Sequence, residues 1–375
     1  MFVQATDAAA YPPLVNSSAL LAEQGWRVTV VNAPIADKDL KLPEHELLEV
    51  HDLGGRPSHV MEKPYFARYT AEVARLAWQQ RPDVVYASDQ LGAGPGLLAA
   101  RVAGARLVYH EHDSPAPGGS ASMLGRLRAR AIRAADLVVF PNAERARIAQ
   151  AEIGFDERRL RIVWNLPRRA ELPACADRAD APLLVYYHGS ITQERLPMAV
   201  VEAVRRFDGA VRLVLAGYEV AGAQGYMQQL VEAGVMPDGR QLVHYLGLLT
   251  THEQLLEAAA TADVGMALMP NCSNDVNMRH MTGASNKIFD YMACNMAALV
   301  TDLPDWRVMF VEPGFARACD PASVESLAAQ FGWFIDNPTE RRAIAARNRA
   351  KIADDWNYDT AFAQVMAELH DWVRS

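Results

Sequence analysis

Cysteine is scarce in this chain, and the four present (Cys175, Cys272, Cys294 and Cys319) stand far apart with no Cys-x-x-Cys pair. Such spacing argues against a zinc site and fits free thiols in a reducing compartment. Long apolar runs are missing too, since no stretch approaches the roughly 18–20 residues needed to span a bilayer. The opening Met1-Phe-Val-Gln-Ala-Thr reads as a strand rather than a signal peptide, so a cytoplasmic location is expected. There is no basic excess: residues 1–180 hold 22 Lys plus Arg against 22 Asp plus Glu, and totals of 37 and 45 leave 15 against 23 for the remainder. The net charge of −8 therefore sits in the second half, which excludes a basic nucleic-acid-binding domain. Internal repeats and low-complexity tracts are also absent.

What the chain does have is length and apolar content: 375 residues, half of them apolar, enough for two cores. Short apolar runs alternate with amphipathic stretches. Phe2–Ala5, Trp26–Val31, Asp83–Ala87, Leu107–Tyr109, Leu137–Phe140 and Arg161–Val163 read as buried parallel strands, with helical patterns at Leu14–Gln24, Tyr65–Gln79 and Leu97–Val102. The scheme repeats at Leu183–His188, Val211–Ala216, Leu242–Tyr245, Val264–Ala267, Ala297–Val300 and Ala316–Ala318. Two doubly wound α/β domains are expected, with a break near Pro167–Pro182, where periodicity lapses. The final stretch, Asn348–Ser375, is helical with an interruption around Asp354–Tyr358.

The most informative segment is Thr282-Gly-Ala-Ser-Asn-Lys-Ile-Phe-Asp290-Tyr-Met-Ala, followed by an apolar strand. It reads as a small-residue loop and a helix start, with Ser285 as the cap and free amides facing an anion. Lys287 adds a cation in the first turn, where the helix dipole disfavours one unless an anion is near. Asp290 is expected on the side away from Ile288, Phe289 and Met292, which should pack inward. A phosphate at the amides and a ribose at the carboxylate is the chemistry this layout offers. The second domain opens with Val185-Tyr-Tyr-His-Gly189-Ser190 and Arg195, a strand ending in glycine with a guanidinium six residues on that can fork onto a diphosphate. Strand-then-glycine recurs at Gly217 and in His244-Tyr-Leu246-Gly-Leu248.

This pattern resembles the donor-site helix of GT-B glycosyltransferases, in particular the large retaining, nucleotide-sugar-dependent, family 4-like group. The resemblance implies two Rossmann-like domains facing a central cleft: an acceptor-side domain at 1–170, a nucleotide-sugar-binding domain at 171–355, and a terminal helix at 356–375 crossing back to the first. It implies a nucleotide-sugar donor, UDP- or GDP-linked, with no other cofactor, no bound metal and retention at the anomeric carbon. It also implies a glycan or lipid-linked acceptor. His112, Arg195 and Lys287 take the catalytic positions. Gly189, Ser190, Gly217, Leu246, Thr282, Ser285, Asn286 and Asp290 take the donor-binding ones. The family's two glutamates, eight positions apart, fall on Thr282 and Asp290, and threonine supplies no charge to the donor sugar. A nucleotide-binding relative without turnover, or an epimerase, therefore stays open beside the transferase.

In the first domain, Leu107-Val-Tyr-His-Glu-His112-Asp113 ends a strand with two imidazoles and two acids, a set fit for sugar hydroxyls or, with a third ligand, a metal. Asp89 ends the neighbouring strand, and it and Asp113 are candidates for acceptor hydroxyls; Asp89 can equally cap the next helix. Gly92-Ala-Gly94-Pro-Gly96, with Glu111 some 20 residues later, is a near match to a dinucleotide fingerprint, although its third glycine falls one residue early. On Met123–Ala135, Arg126, Arg130 and Arg133 share one helical face, opposite Leu124, Leu127, Ala131 and Ala134. That face is either a solvated surface or a weak peripheral contact with anionic lipid on the inner side of a membrane.

Overall fold

The computed structural model describes residues 1–34, 41–54, 63–115, 119–175, 181–220 and 222–374. The chain divides into two compact units. The first comprises Met1–Leu166, Asn274–Ala284 and Tyr358–Ser375, and the second Pro167–Ser273 and Ser285–Asn357. The expected break across Pro167–Pro182 includes 176–180, which lie outside the described residues.

The first unit holds a parallel sheet of β1 (Phe2–Gln4), β2 (Val28–Asn32), β3 (Leu48–Asp52), β4 (Val84–Ser88), β5 (Arg106–His110), β6 (Leu137–Phe140) and β7 (Leu160–Ile162). The spatial order is β3-β2-β1-β4-β5-β6-β7. Its inner strands are nearly continuous apolar runs because helices cover both faces. β3 was not expected from the sequence: Leu48-Glu-Val-His-Asp52 is a half-exposed edge strand, too polar to register as an apolar run.

The second unit repeats the plan with β8 (Leu183–Ile191), β9 (Val211–Glu219), β10 (Val243–Tyr245), β11 (Val264–Ala267), β12 (Ala297–Thr301) and β13 (Ala316–Cys319), ordered β10-β9-β8-β11-β12-β13 and all parallel. In each sheet the strand order reverses once, between β1 and β4 and between β8 and β11. Open α/β sheets bind ligands outside the carboxyl ends of strands at such a point. The two Rossmann-like domains expected from the sequence are present.

The terminal helix Tyr358–Arg374 belongs to the first unit. Tyr358, Phe362, Val365 and Leu369 form its buried stripe. The Tyr358 hydroxyl donates to the Pro13 carbonyl at 2.9 Å and pairs with Ser17 Oγ at 2.6 Å. Arg161 Nε donates to Glu368 further along.

The near-match dinucleotide motif is not a phosphate loop. Gly92, Gly94 and Gly96 lie inside the helix Asp89–Ala103, which begins eight residues before the periodicity suggested. A Cβ on Gly92 would sit 2.7 Å from the Val3 carbonyl oxygen, and one on Gly96 would overlap Ala87 Cβ. These glycines let the helix lie close against β1 and β4.

Candidate functional site

In the second unit the candidate residues gather at the carboxyl ends of β8, β9 and β10. Gly189 has φ +112°, and a Cβ there would lie 2.9 Å from both Cε and Nζ of Lys287. Gly189 pairs in register with Gly217, where a Cβ would overlap the Gly189 carbonyl oxygen, so Gly217 admits no side chain and one at Gly189 would have to push the end of Lys287 aside from a left-handed backbone. The Gly217 amide donates to the Gly247 carbonyl at 2.9 Å, and Leu246 is left half exposed at this rim. Arg195 reaches back across its turn, donating through Nη1 to Ser190 Oγ at 2.9 Å.

Lys287 is buried, and among the described residues its ammonium makes no hydrogen bond or ion pair. Burial, reinforced by the nearby Arg195 charge and opposed by Asp290, pulls its pKa down to about 7. Two cations converge here with no carboxylate bound to the lysine, an arrangement that an anionic ligand would complete.

Two expectations for the adjacent helix, Lys287–Ala293, need correction. Ser285 does not cap it: the boundary residue is Asn286, in helical conformation without a side-chain cap, while Ser285 Oγ is buried with no partner among the described residues. Asp290 does not face outward either; it is 0% exposed, as buried as Ile288, Phe289 and Met292. The reason is a set of polar partners the sequence does not place near it. His252 Nε2 lies 3.1 Å from Oδ1, Asn286 Nδ2 donates to Oδ2 at 2.8 Å, and His188 Nε2 lies 3.2 Å from Oδ2. Burial would raise the Asp290 pKa, but the charge of His252 and the hydrogen bonds outweigh it and hold the carboxyl at about 2. His252 Nδ1 in turn meets Glu171 Oε1 at 2.8 Å. Burial opposes its charge, yet the two carboxylates raise its pKa well above the ordinary imidazole value. His188, more enclosed, is lowered by burial. Glu171, His252, Asp290 and His188 thus form a row of alternating acid and imidazole beside Lys287, half-buried at Glu171 and His252 and fully buried at Asp290 and His188.

In the first unit, His112 lies just beyond β5. Its ring packs 4.2 Å from His110 and 5.3 Å from Tyr11, and neither ring nitrogen has a hydrogen-bond partner among the described residues. Burial lowers its pKa to about 3, so the imidazole is neutral. Asp89, at φ +58°, accepts the His112 and Asp113 amides through Oδ1 at 2.7 and 3.1 Å, which makes it the anchor of the His112 loop. Asp113 is exposed. Glu111 is fully buried: the Arg128 guanidinium forks onto both its oxygens at 2.5 and 2.9 Å, and Tyr109 and Ser114 hydroxyls donate as well. A carboxylate so saturated is not free to hold a ribose. Among the described residues, no three His, Cys, Asp or Glu side chains converge as a metal site.

Thr282 belongs to the first unit with the rest of Asn274–Ala284. Gly283 beside it has φ +74° and is packed so tightly that a Cβ would lie 2.6 Å from Trp164 Cδ1. On the helix Met123–Ala134, Arg126, Arg130 and Arg133 are exposed as expected, but Ala134 is exposed with them, and the buried face instead takes Arg128 for its pairing with Glu111.

Residues 14–166 match the family described as Glycosyltransferase Family 4, and residues 198–367 match one described as Glycosyl transferase-like. Anabaena HepE, in a crystal structure with UDP and glucose, has a similar fold: TM-score 0.75, 18% identity, 99% of this chain and 98% of that one covered. Sucrose-phosphate synthase from Thermosynechococcus elongatus has a TM-score of 0.71 at 14% identity, covering 98% of both chains. A curated relative from Mannheimia succiniciproducens, UDP-N-acetylglucosamine--N-acetylmuramyl-(pentapeptide) pyrophosphoryl-undecaprenol N-acetylglucosamine transferase, is 25% identical over 138 residues, or 35% of this chain and 38% of that protein. The protein of the same name from Clavibacter michiganensis is 29% identical over 72% of each. The match thus spans well under half the length of the first of these relatives. Parallel sheets, glycine-ended strands and the two family matches together define the class: the chain belongs to the GT-B glycosyltransferases, with family 4-like character in its first unit.

Proposed function

We propose that this protein transfers a sugar from a UDP-sugar donor to a glycan or lipid-linked acceptor, with retention and without a bound metal or further cofactor. The observation that carries the reading is the convergence of Arg195 and the unpaired Lys287 ammonium at the Gly189 turn. A diphosphate placed there receives two charge-assisted contacts, and as the sugar departs the same cations stabilise the charge growing on the leaving phosphate. These side chains supply what a divalent cation would otherwise provide. UDP is preferred over GDP because HepE is described with UDP and the curated relatives are named for a UDP-sugar.

His112 is assigned to the donor sugar as a neutral hydrogen-bonding group. A conjugate acid with a pKa of about 3 makes it a poor proton acceptor at neutral pH. Without a competent base at that position, the departing phosphate takes the acceptor's proton on the face it leaves, which gives retention. Asp290 reaches the ribose only through its partners, with His252 holding the carboxylate ionised. Asp89 and Asp113 shape the acceptor side, and the exposed Arg126, Arg130 and Arg133 face supplies a weak electrostatic contact with anionic lipid at the cytoplasmic side of a membrane. Among the described residues, no helix is long and apolar enough to cross a membrane.

The test is calorimetry with UDP, GDP and NAD, with and without magnesium, followed by UDP-glucose and UDP-N-acetylglucosamine consumption. UDP-selective binding indifferent to magnesium, with donor consumed, supports the reading. Binding without consumption would turn it into a nucleotide-binding relative, with Thr282 the position to examine. An inverted anomeric proton coupling in the product would overturn the stereochemical part alone.

A further inference from the structure

Arg145 sits in the first turn of the helix Ala143–Ile153 and is 2% exposed. Its guanidinium makes no ion pair among the described residues and donates instead to main-chain oxygens: Nη1 to His112 at 2.9 Å, Nη2 to Asn277 at 2.9 Å, and Nε to His280 at 3.0 Å. The Met281 sulfur lies 3.5 Å from Nη2. These acceptors come from two stretches some 165 residues apart in sequence, the His112 loop and the Asn274–Ala284 segment. The same two stretches are joined again by Asn277, whose amide donates to the Ser114 carbonyl and accepts the Ser114 amide, both at 2.8 Å, in the manner of a paired strand. Asn142, the cap of the Arg145 helix, adds a bond from Nδ2 to the His280 carbonyl at 2.9 Å.

Burying a guanidinium against neutral carbonyls is costly, and Asp113, Glu111, Asp275 and Asp89 only partly offset the loss of water. What Arg145 provides for that cost is a fixed, planar fork that an apolar residue could not supply. One stretch it holds carries His112, whose two ring nitrogens are buried without a hydrogen-bond partner among the described residues; the other runs directly into Thr282.

We infer that Arg145 is a positioning residue for the transfer: it locks the His112 loop and the Asn277–Met281 stretch into one body, so that His112 and Thr282 are presented to the donor sugar in a fixed relation. This rests on the donor assignment above. Arg145 touches no reacting atom in this account and acts through the backbone of His112.

The experiment compares wild type, Arg145→Lys and Arg145→Gln. Amide hydrogen exchange in the glutamine variant is expected to rise together at residues 112–114 and 277–284, while Lys287–Ala293 keeps its protection. UDP affinity should stay within twofold of wild type. With whichever of UDP-glucose and UDP-N-acetylglucosamine the wild type consumes, kcat should fall about 30- to 100-fold with KM within threefold, as for a misplacement of about 1 Å. Lysine should restore part of kcat, since it can still donate to one or two of the carbonyls. Unchanged exchange in either segment overturns the lock, and so does a folded glutamine variant with kcat within threefold of wild type. Loss of kcat that a stabilising osmolyte restores would reduce Arg145 to a fold-stabilising role. Failure of the wild type to bind UDP would instead sink the donor assignment, and the exchange result would still decide whether the two segments are locked.

Discussion

The space that a side chain at Gly189 would need is occupied by Lys287, whose Cε and Nζ both lie 2.9 Å from the Cβ position. The glycine is therefore what seats the ammonium at the end of β8, and its φ of +112° adds a second reason for the residue. Gly189→Ala should displace Lys287 and weaken UDP binding about tenfold or more, a strained-backbone and misplaced-charge effect read by titration calorimetry. An alanine variant with wild-type affinity would detach Lys287 from the site.

Removing either cation gives a direct measure of the diphosphate contacts. Lys287→Ala and Arg195→Ala should each cost about 1–3 kcal/mol of UDP affinity, the range for charged hydrogen bonds. The double variant should lose more than the sum of the singles, because removing either cation relieves the repulsion on the other in the free protein and so softens each single loss. Affinity unchanged in both single variants would dismiss the assignment.

Binding should also take up a proton. In the free protein Lys287 titrates at about 7, depressed by burial and Arg195. A bound diphosphate restores the charged form and raises that value. Near pH 8.5 UDP binding should therefore absorb roughly one proton, and near pH 6 almost none. Affinity should fall as pH climbs above 7, up to the raised value in the complex. Calorimetry in two buffers of different ionisation enthalpy reads the proton count; a count of zero at pH 8.5 would mean that Lys287 is fully charged before the ligand arrives.

Asp290 and His252 set opposite pH limits. The Asp290 carboxyl, held at about 2, contributes stability that is present above the ordinary carboxylate range and is lost as pH falls through about 2. The difference corresponds to about 2 kcal/mol. His252, raised by Asp290 and Glu171, contributes fully below about 6.5, and that contribution fades as pH rises through its elevated value. Denaturant unfolding of wild type and Asp290→Asn across pH 3–9 should show the asparagine variant less stable at neutrality and the gap closing in acid. A gap independent of pH would mean that packing, rather than charge, accounts for the difference.

Glu111→Gln should leave the Arg128 guanidinium buried with a neutral partner and destabilise the protein by about 3–5 kcal/mol. Urea unfolding reads the loss. A value under 1 kcal/mol would mean that Glu152, 3.6 Å from Arg128, takes over the pairing.

Much of the architecture was legible because inner parallel strands announce themselves. All six strands expected in the second half are found, as in Val264–Ala267, where every residue is buried. The edge strand Leu48–Asp52 escaped because one polar face and little burial leave no apolar run. Gly189, Arg195 and Lys287 could be picked out because backbone approach and anion binding require particular residue types at particular offsets. Helical periodicity alone puts Asp290 on the wrong side, because it counts a carboxylate as outward-facing, whereas His188, His252 and Asn286 give it partners inside. Arg145 and Asn277 left no local signal at all. Their partners are main-chain oxygens and amides, which every residue carries, so only the fold reveals them.

The division of the chain bears on how such a protein can be taken apart or recombined. The polypeptide passes between its two units four times, and the short stretch Asn274–Ala284 belongs with the half it is not contiguous with. A fragment ending at Leu166 would strip Arg145 of two of its three carbonyl acceptors and Asn142 of its bond to His280. A hybrid made by joining the front half of this protein to the rear half of another would import a foreign version of those eleven residues and set them against Ser114, Trp164 and Arg145. Exchange of halves between such proteins thus succeeds only when this insert travels with the half it packs against. That constraint is invisible to any scheme that cuts the chain at a single point.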